Sequence, residues 1–246
     1  MPRFFVPSRE IQDAQARLEG GEFRHLQRVL RLREGDRVTL FDDEGREHAG
    51  VIVSLSPRVA AVRITATTRP ERESALAITL FQGIPKGRKM DLVVEKATEL
   101  GVRAIVPFVS AFSAAGMPAA GGKAERWRRI ALAAAKQSAR TAVPEVGEPV
   151  TFPEVVAAGA GAALRLLFYE GPDTEPVAGV LDGVSAPATA AIVVGSEGGL
   201  SHDEVSDARA HGFRAVHLGP RILRTETAAL VAVTLVQARW GDLGGR

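Results

Sequence analysis

The sequence predicts an α/β chain in two parts: a small all-strand unit over residues 1–70, then a larger unit of alternating strands and helices over residues 74–246. Three observations carry this expectation. Between Arg37 and Ala66, apolar and polar residues alternate with period two, as half-buried strands do. From Ala75 onward, short apolar runs alternate with helical segments, the pattern of a parallel sheet with crossover helices. The charged, proline-bearing stretch Arg69–Ser74 separates the two patterns.

Taken in order, Arg3-Phe4-Phe5-Val6 reads as a strand. After Gly20-Gly21, residues Phe23, Leu26, Val29 and Leu30 mark one face of a short helix. Arg24, Arg28 and Arg31 share its opposite, solvated side by i,i+4 and i,i+3 spacing. Strands follow at Arg37–Phe41, Arg46–Leu55 and Val59–Ala66, with turns at Asp42–Gly45 and Ser56-Pro57. A small barrel or curled sheet buries such strands economically. Beyond the boundary, strand Ala75–Gln82, helix Arg88–Leu100 closed by Gly101, and strand Val102–Val109 make a βαβ unit. The small residues of Phe112–Gly122 predict a loop, and Lys123–Ala139 a long helix. Further strands are expected at Leu164–Tyr169, Ala190–Val194 and Ala215–Leu218, with helices near Pro153–Ala158 and Asp203–His211. The final helix, Thr225–Arg239, is apolar on most of its surface and is expected to pack against the sheet or a second subunit.

Composition excludes several classes. With 46% hydrophobic and 24% charged residues, the chain has the make-up of a soluble globular protein. The lack of cysteine removes disulfides, thiolate metal sites and Cys nucleophiles together. Apolar stretches such as Ala188–Val194 and Ala228–Val236 fall well short of the ~20 residues a membrane span needs. Residues 1–7 lack the apolar region of a signal peptide, so a cytoplasmic location is expected. The net charge of +2 announces no polyanion partner, but only five of the 31 basic residues are lysine. Arginine suits phosphate recognition, although a GC-rich genome would produce the same bulk ratio.

Nucleotide and metal decoys fall away. Gly159-Ala160-Gly161 precedes a strand instead of following one, and Lys86-Gly87-Arg88-Lys89 lacks the glycine and Lys-Ser/Thr pair of a P-loop. The five histidines show no metal-ligand spacing, so no metal is expected. What remains is a pair of glycine-bearing loops, each placed directly after a strand. In Val194-Gly195-Ser196-Glu197-Gly198-Gly199-Leu200-Ser201, the glycines permit close backbone approach to a ligand, and Ser201 with Glu204 forms a capping box for the next helix. In Leu218–Ala228, Thr225 is a plausible N-cap, and Arg221 and Arg224 beside Glu226 are unexpected for a structural loop. Ligands of α/β sheets collect at the carboxyl ends of strands, so the two loops should share one pocket.

These loops resemble the cofactor-binding motifs of the SPOUT class of S-adenosylmethionine-dependent RNA methyltransferases. The chain is similar throughout to the RsmE family, which methylates N3 of a uridine in 16S ribosomal RNA. The likeness rests on His25–Asp36, on Lys86–Val102, on Gln137–Arg140 with Val143-Pro144-Glu145, and on the two loops. One departure is Ser196, where the family usually has proline. The resemblance implies a PUA-like β-barrel that contacts RNA, then an α/β trefoil-knot methyltransferase domain, assembled as a homodimer with the active site near the interface. It implies S-adenosylmethionine bound by Phe168, Tyr169, Gly195, Ser196, Glu197, Gly198, Gly199, Leu218, Gly219, Arg221, Ile222, Leu223, Arg224, Thr227 and Ala228.

Uracil N3–H is a weak acid, so either a base takes its proton or a cation stabilises the anion. Arg140 and Arg224 are the expected cations, and Glu226 or Glu197 is expected to orient an arginine or accept the proton. Candidate RNA contacts are Arg3, Arg24, His25, Arg28, Arg31 and Arg33 in the first unit, and Lys86, Arg88 and Lys89 in the second. The competing readings are a ribose 2′-O-methyltransferase of the same class and a non-catalytic RNA-binding ribosome-assembly factor.

Overall fold

The computed structural model describes residues 1–113 and 122–244; residues 114–121 of the expected loop lie outside the described residues. The chain divides into two compact units. One comprises Met1–Glu73 with Ala135–Val143, the other Ser74–Ala134 with Pro144–Arg246.

The first unit is a six-stranded sheet of β1 (Arg3–Phe5), β2 (Ile11–Gln12), β3 (Gln15–Leu18), β4 (Arg37–Phe41), β5 (Glu47–Leu55) and β6 (Ala60–Thr68), in the order β1-β4-β5-β6-β3-β2. Only β1–β4 is a parallel pairing. Alternation buries Val38, Leu40, Ile52, Ala60 and Val62 around Phe4, Leu18, Phe23 and Leu26. The hairpin β2–β3 had no sequence signal, because its turn is Asp13-Ala14 in left-handed conformation, a place where Asn-Gly is the usual pair.

Helix α1 (Gly20–Arg24) runs directly into a π turn, His25–Val29, with Leu30 N donating to His25 O at 3.1 Å. This widened turn corrects two expectations. Val29 and Leu30, assigned to the buried face, are rotated out and exposed. Arg31 has φ +53° and lies beyond the helix, so the three-arginine helical stripe is not formed, although Arg24, Arg28, Arg31 and Arg33 are all exposed.

Asp42, fully buried at the end of β4, organises the adjacent turn. Its Oδ1 accepts from the backbone N–H of Glu44 and Arg46 at 2.9 Å, and its Oδ2 accepts from Arg46 Nε at 2.6 Å. His48 Nε2 lies 3.2 Å from the same oxygen, and its Nδ1 lies 2.9 Å from Thr67 Oγ1. Burial pushes the Asp42 pKa up, but the bonds from Arg46, His48 and Glu44 outweigh it and hold the carboxyl below its ordinary value.

The second unit is built on an all-parallel sheet. Its members are β7 (Ala77–Gly83), β8 (Ala104–Val109), β9 (Glu145–Val146), β10 (Val150–Thr151), β11 (Leu164–Phe168), β12 (Glu175–Pro176), β13 (Thr189–Val194) and β14 (Arg214–His217). The order is β10-β8-β7-β13-β11-β14-β12, with β9 also pairing β8. Its helices are α2 (Lys89–Glu99), α3 (Gly122–Gln137), α4 (Phe152–Gly159), α5 (Val177–Asp182), α6 (His202–Ala210) and α7 (Thr225–Trp240). The last residues of α3 belong to the first unit. Helix α7 packs on α2, β7 and β13, which accounts for its apolar surface. Helix α5 and the two-residue strands were not legible in the sequence, being shorter than the window that periodicity needs. One layer of the core gathers Phe81, Phe108, Phe152, Leu167, Val193, Val205 and Phe213. Among the described residues, no helix is long and apolar enough to cross a membrane.

Candidate functional site

Three neighbouring strands, β13, β11 and β14, end on the same edge of the sheet, and the loops leaving them enclose a cavity of about 830 Å³. Of the expected cofactor residues, Phe168, Tyr169, Gly195, Ser196, Glu197, Gly198, Gly199, Leu218, Gly219, Arg221, Ile222, Leu223, Arg224 and Ala228 line it. Thr227 is exposed on α7 and is not among the lining residues. Lys89, Glu170, Thr174 and His217 line it as well, and the sequence pointed to none of them as cavity residues.

The loops owe their shape to buried polar stitching. Gln82, at 0% exposure in an otherwise apolar strand, donates from Nε2 to Gly83 O at 2.8 Å and to Thr225 Oγ1 at 2.9 Å. Thr225 Oγ1 in turn donates to Gly195 O at 2.5 Å, so β7, the first loop and α7 meet at one node. Thr225 is thus the first helical residue and not the cap, the cap position falling to Arg224. At Gly83, a Cβ would overlap the backbone nitrogen of Ser196 and stand 2.8 Å from the carbonyl carbon of Gly195, so only glycine admits the loop this close. Ser201 and Glu204 form the expected capping box, with Glu204 N donating to Ser201 Oγ at 3.2 Å and Ser201 N to Glu204 Oε2 at 2.8 Å.

The charged groups differ sharply in their company. Glu197 accepts from Lys89 Nζ at 2.7 Å, and from Lys86 N at 3.2 Å on both oxygens. Burial pushes its pKa up, yet the Lys89 ammonium and the neighbouring N–H groups prevail and hold it below the usual carboxylate range. Glu197 also raises the pKa of Lys89 through their hydrogen bond. Glu226, expected at the site, is not among the residues lining the cavity; its side chain is only 15% exposed, with Oε2 3.7 Å from Lys89 Nζ and without a hydrogen-bond partner among the described residues. Burial alone raises the Glu170 pKa. Arg221 and Arg224 are exposed and make no ion pair with a described residue.

Other expected site residues lie elsewhere. Arg140 does not line the cavity: it is 6% exposed in the first unit and holds Glu73 Oε2 with Nε at 3.0 Å and Nη2 at 2.6 Å. Glu73 Oε1 also accepts from the backbone N–H of Thr141 at 2.8 Å and Ala142 at 3.0 Å. Arg3, expected as an RNA contact, is bound to Glu47 and to Arg140 O and stacks 5.1 Å from the Phe41 ring centroid. His25 packs edge-on against Phe4. Arg24, Arg28, Arg31 and Arg33 on the first unit, and Lys86 and Arg88 on the second, have exposed side chains without ion-pair partners among the described residues.

Residues 72–237 match a family described as RNA methyltransferase domain, and residues 18–65 match one described as RNA methyltransferase PUA domain. The Bacillus subtilis ribosomal RNA small subunit methyltransferase E is 31% identical over 245 residues, covering 96% of each chain. A crystal structure of a ribosomal RNA small subunit methyltransferase E from Neisseria gonorrhoeae, bound to S-adenosyl methionine, is 34% identical with a TM-score of 0.86 over 99% of both chains. A putative methyltransferase from Legionella pneumophila, solved with bound S-adenosylmethionine, gives a TM-score of 0.89 at 32% identity over 98% of both chains. With a PUA-like first unit, a parallel-sheet SPOUT-type second unit and full-length similarity to these proteins, the chain belongs to the ribosomal RNA small subunit methyltransferase E family of RNA methyltransferases.

Proposed function

We propose that this protein transfers the methyl group of S-adenosylmethionine to N3 of a uridine in 16S rRNA of the small ribosomal subunit, acting in the cytoplasm as a homodimer. The observation that carries this reading is the cavity at the β13, β11 and β14 ends, lined by Glu197 with Lys89 and by Arg221 and Arg224, which make no ion pair among the described residues.

The cavity fits the cofactor. Its volume of about 830 Å³ falls in the range of roughly 300–1,000 Å³ usual for small-molecule sites. Apart from the chain neighbours, no heavy atom of the described residues lies within 4 Å of where a Cβ would stand at Gly199 or Gly219, so the space above those backbones is open to a ligand. Phe168, Leu218, Ile222 and Leu223 offer apolar surface for an adenine ring, and Glu170 and the loop backbone offer polar partners for ribose and amino-acid groups. When bound, S-adenosylmethionine supplies a methyl group made electrophilic by its sulfonium.

The chain's own residues then divide the remaining tasks. N3 lies on the Watson–Crick edge, so the base must be presented unpaired. Its proton leaves to Glu226 Oε2, the carboxylate oxygen that has no hydrogen-bond partner. Glu197 is unsuited to that task because Lys89 and Lys86 N–H already occupy its oxygens; it clasps the loop to the start of α2. Arg224 stabilises the negative charge on the uracil carbonyls. Arg140, bound to Glu73, fixes the backbone of residues 140–142 from within the first unit, so the share of charge stabilisation expected of it passes to Arg224. RNA is held through phosphate contacts by Arg24, Arg28, Arg31 and Arg33 and by Lys86 and Arg88.

The test is methylation of purified small subunits and of bare 16S rRNA with labelled cofactor, followed by nucleoside digestion and mapping. Label in 3-methyluridine is the expected result. Label in a ribose-methylated nucleoside, or none in either substrate, overturns the proposal.

A further inference from the structure

Of the ten phenylalanines, eight are buried and Phe5 is half-buried; Phe112 alone is exposed, at 56%. An aromatic ring left in water contributes nothing to folding, yet this one stands on a closely fastened turn. Ser113 N donates to Ser110 O at 3.0 Å, and Ser110 N donates to Ser113 Oγ at 2.9 Å. Ser110 Oγ donates to Gly199 O at 3.3 Å, and Ala111 N donates to Glu204 Oε1 at 2.8 Å. The turn is therefore tied both to the glycine loop of the cavity and to the capping box of α6.

Gly198, which lines the cavity, makes room for Phe112. A Cβ at position 198 would stand 2.5 Å from the Phe112 carbonyl oxygen and 2.8 Å from its Cβ. The chain thus sets an exposed, backbone-anchored aromatic residue directly against Gly198, a residue of the cavity lining. Exposed cations Arg221 and Arg224 rise from the other loop of the same cavity. A flat apolar ring at one loop of the cavity and exposed arginines on its other loop suit single-stranded RNA, whose bases stack on aromatic rings and whose phosphates meet cations.

We propose that Phe112 is a stacking platform for an unpaired base of the RNA substrate, positioning the strand at the cavity. This rests on the methyltransferase function proposed above. Three variants of the full-length protein test it: Phe112→Ala, Phe112→Leu and Phe112→Tyr. Steady-state methylation of small-subunit RNA, S-adenosylmethionine affinity by calorimetry and sedimentation are measured for each.

Stacking predicts a ten- to hundred-fold loss of kcat/KM in both Phe112→Ala and Phe112→Leu, carried mainly by KM for RNA. Phe112→Tyr should stay within about threefold of wild type, and cofactor affinity and oligomeric state should not change. Equal activity of Phe112→Ala and wild type overturns the platform, as does full activity of Phe112→Leu, which would make bulk and not aromaticity the requirement. A change of sedimentation in Phe112→Ala also overturns it by making the ring part of a protein interface. Wild-type protein that binds no S-adenosylmethionine and methylates no RNA removes the proposed function itself, a result distinct from any of these.

Discussion

At the scale of single residues, the two candidate acids that the sequence left equivalent are separated by their partners. Glu197 is saturated by Lys89 and the Lys86 N–H, whereas Glu226 keeps one buried oxygen without a hydrogen bond. Glu226→Gln should therefore lower kcat by about 10²–10⁴-fold with S-adenosylmethionine affinity intact, the usual weight of a general base. Glu197→Gln should act mainly on cofactor affinity, since it loosens the loop from α2. Single-turnover kinetics beside calorimetry separates the two, and an unaltered kcat in Glu226→Gln removes it as the proton acceptor. Asp42 supplies a pH prediction. Its folded-state pKa is depressed below the ordinary value near 3.8, so its stabilisation is complete above that value and is lost as pH falls through the folded pKa. Below about pH 4, thermal midpoints should fall in wild type with a slope that Asp42→Asn reduces. The variant should already be less stable at pH 7 by about 3 kcal/mol, because Arg46 and His48 lose a buried anionic partner.

At the scale of elements, the parallel strands and their following loops were legible because burial on both faces leaves apolar runs and ligand loops leave glycines. The π turn after α1 was not: its extra residue per turn is a backbone choice that side-chain types barely influence, and it moved Val29 and Leu30 from the expected core face to solvent. Gln82-Gly83 at the end of β7 was a signal left unread, a polar residue and a glycine closing an apolar strand. Gly83→Ala should push the Gly195-Ser196 backbone away from β7. Expected are a tenfold or greater weakening of S-adenosylmethionine binding and a stability loss of about 1–3 kcal/mol, read by calorimetry and thermal melting. A variant that binds the cofactor as tightly as wild type would show that the loop tolerates the displacement.

At the scale of the whole molecule, the first unit is completed by a distant stretch of chain. Lys136 bonds Glu22 at 2.9 and 3.0 Å and lies 5.2 Å from the Phe4 ring centroid, and Arg140 with the following N–H groups surrounds Glu73. Sequence reading put the first domain at 1–70 on a change of pattern, which cannot register a return of the chain 60 residues later. A fragment of residues 1–73 lacks these partners, and its far-ultraviolet melt should be broad and low compared with the full chain; a sharp transition at the full-length midpoint would refute this. Arg28 and Arg31, exposed without ion pairs among the described residues, should together set part of the RNA salt dependence. Replacing both by alanine should weaken RNA binding and reduce the slope of log affinity against log salt by about 1.4, at about 0.7 per single-strand phosphate contact. An unchanged slope would take the patch out of the RNA interface.

By itself, the sequence determined the two-part organisation, the run of parallel strands and the two loops that hold the candidate cofactor residues. These features are written locally, in periodicity, glycines and caps, and local patterns survive without knowledge of the partner. It did not decide which acid keeps a free oxygen, that Arg140 faces Glu73, that Lys89 joins Glu197, or that Phe112 stands on Gly198. Each of those depends on a pair separated by more than 60 positions, and the tertiary fold alone brings such residues within hydrogen-bonding or van der Waals reach.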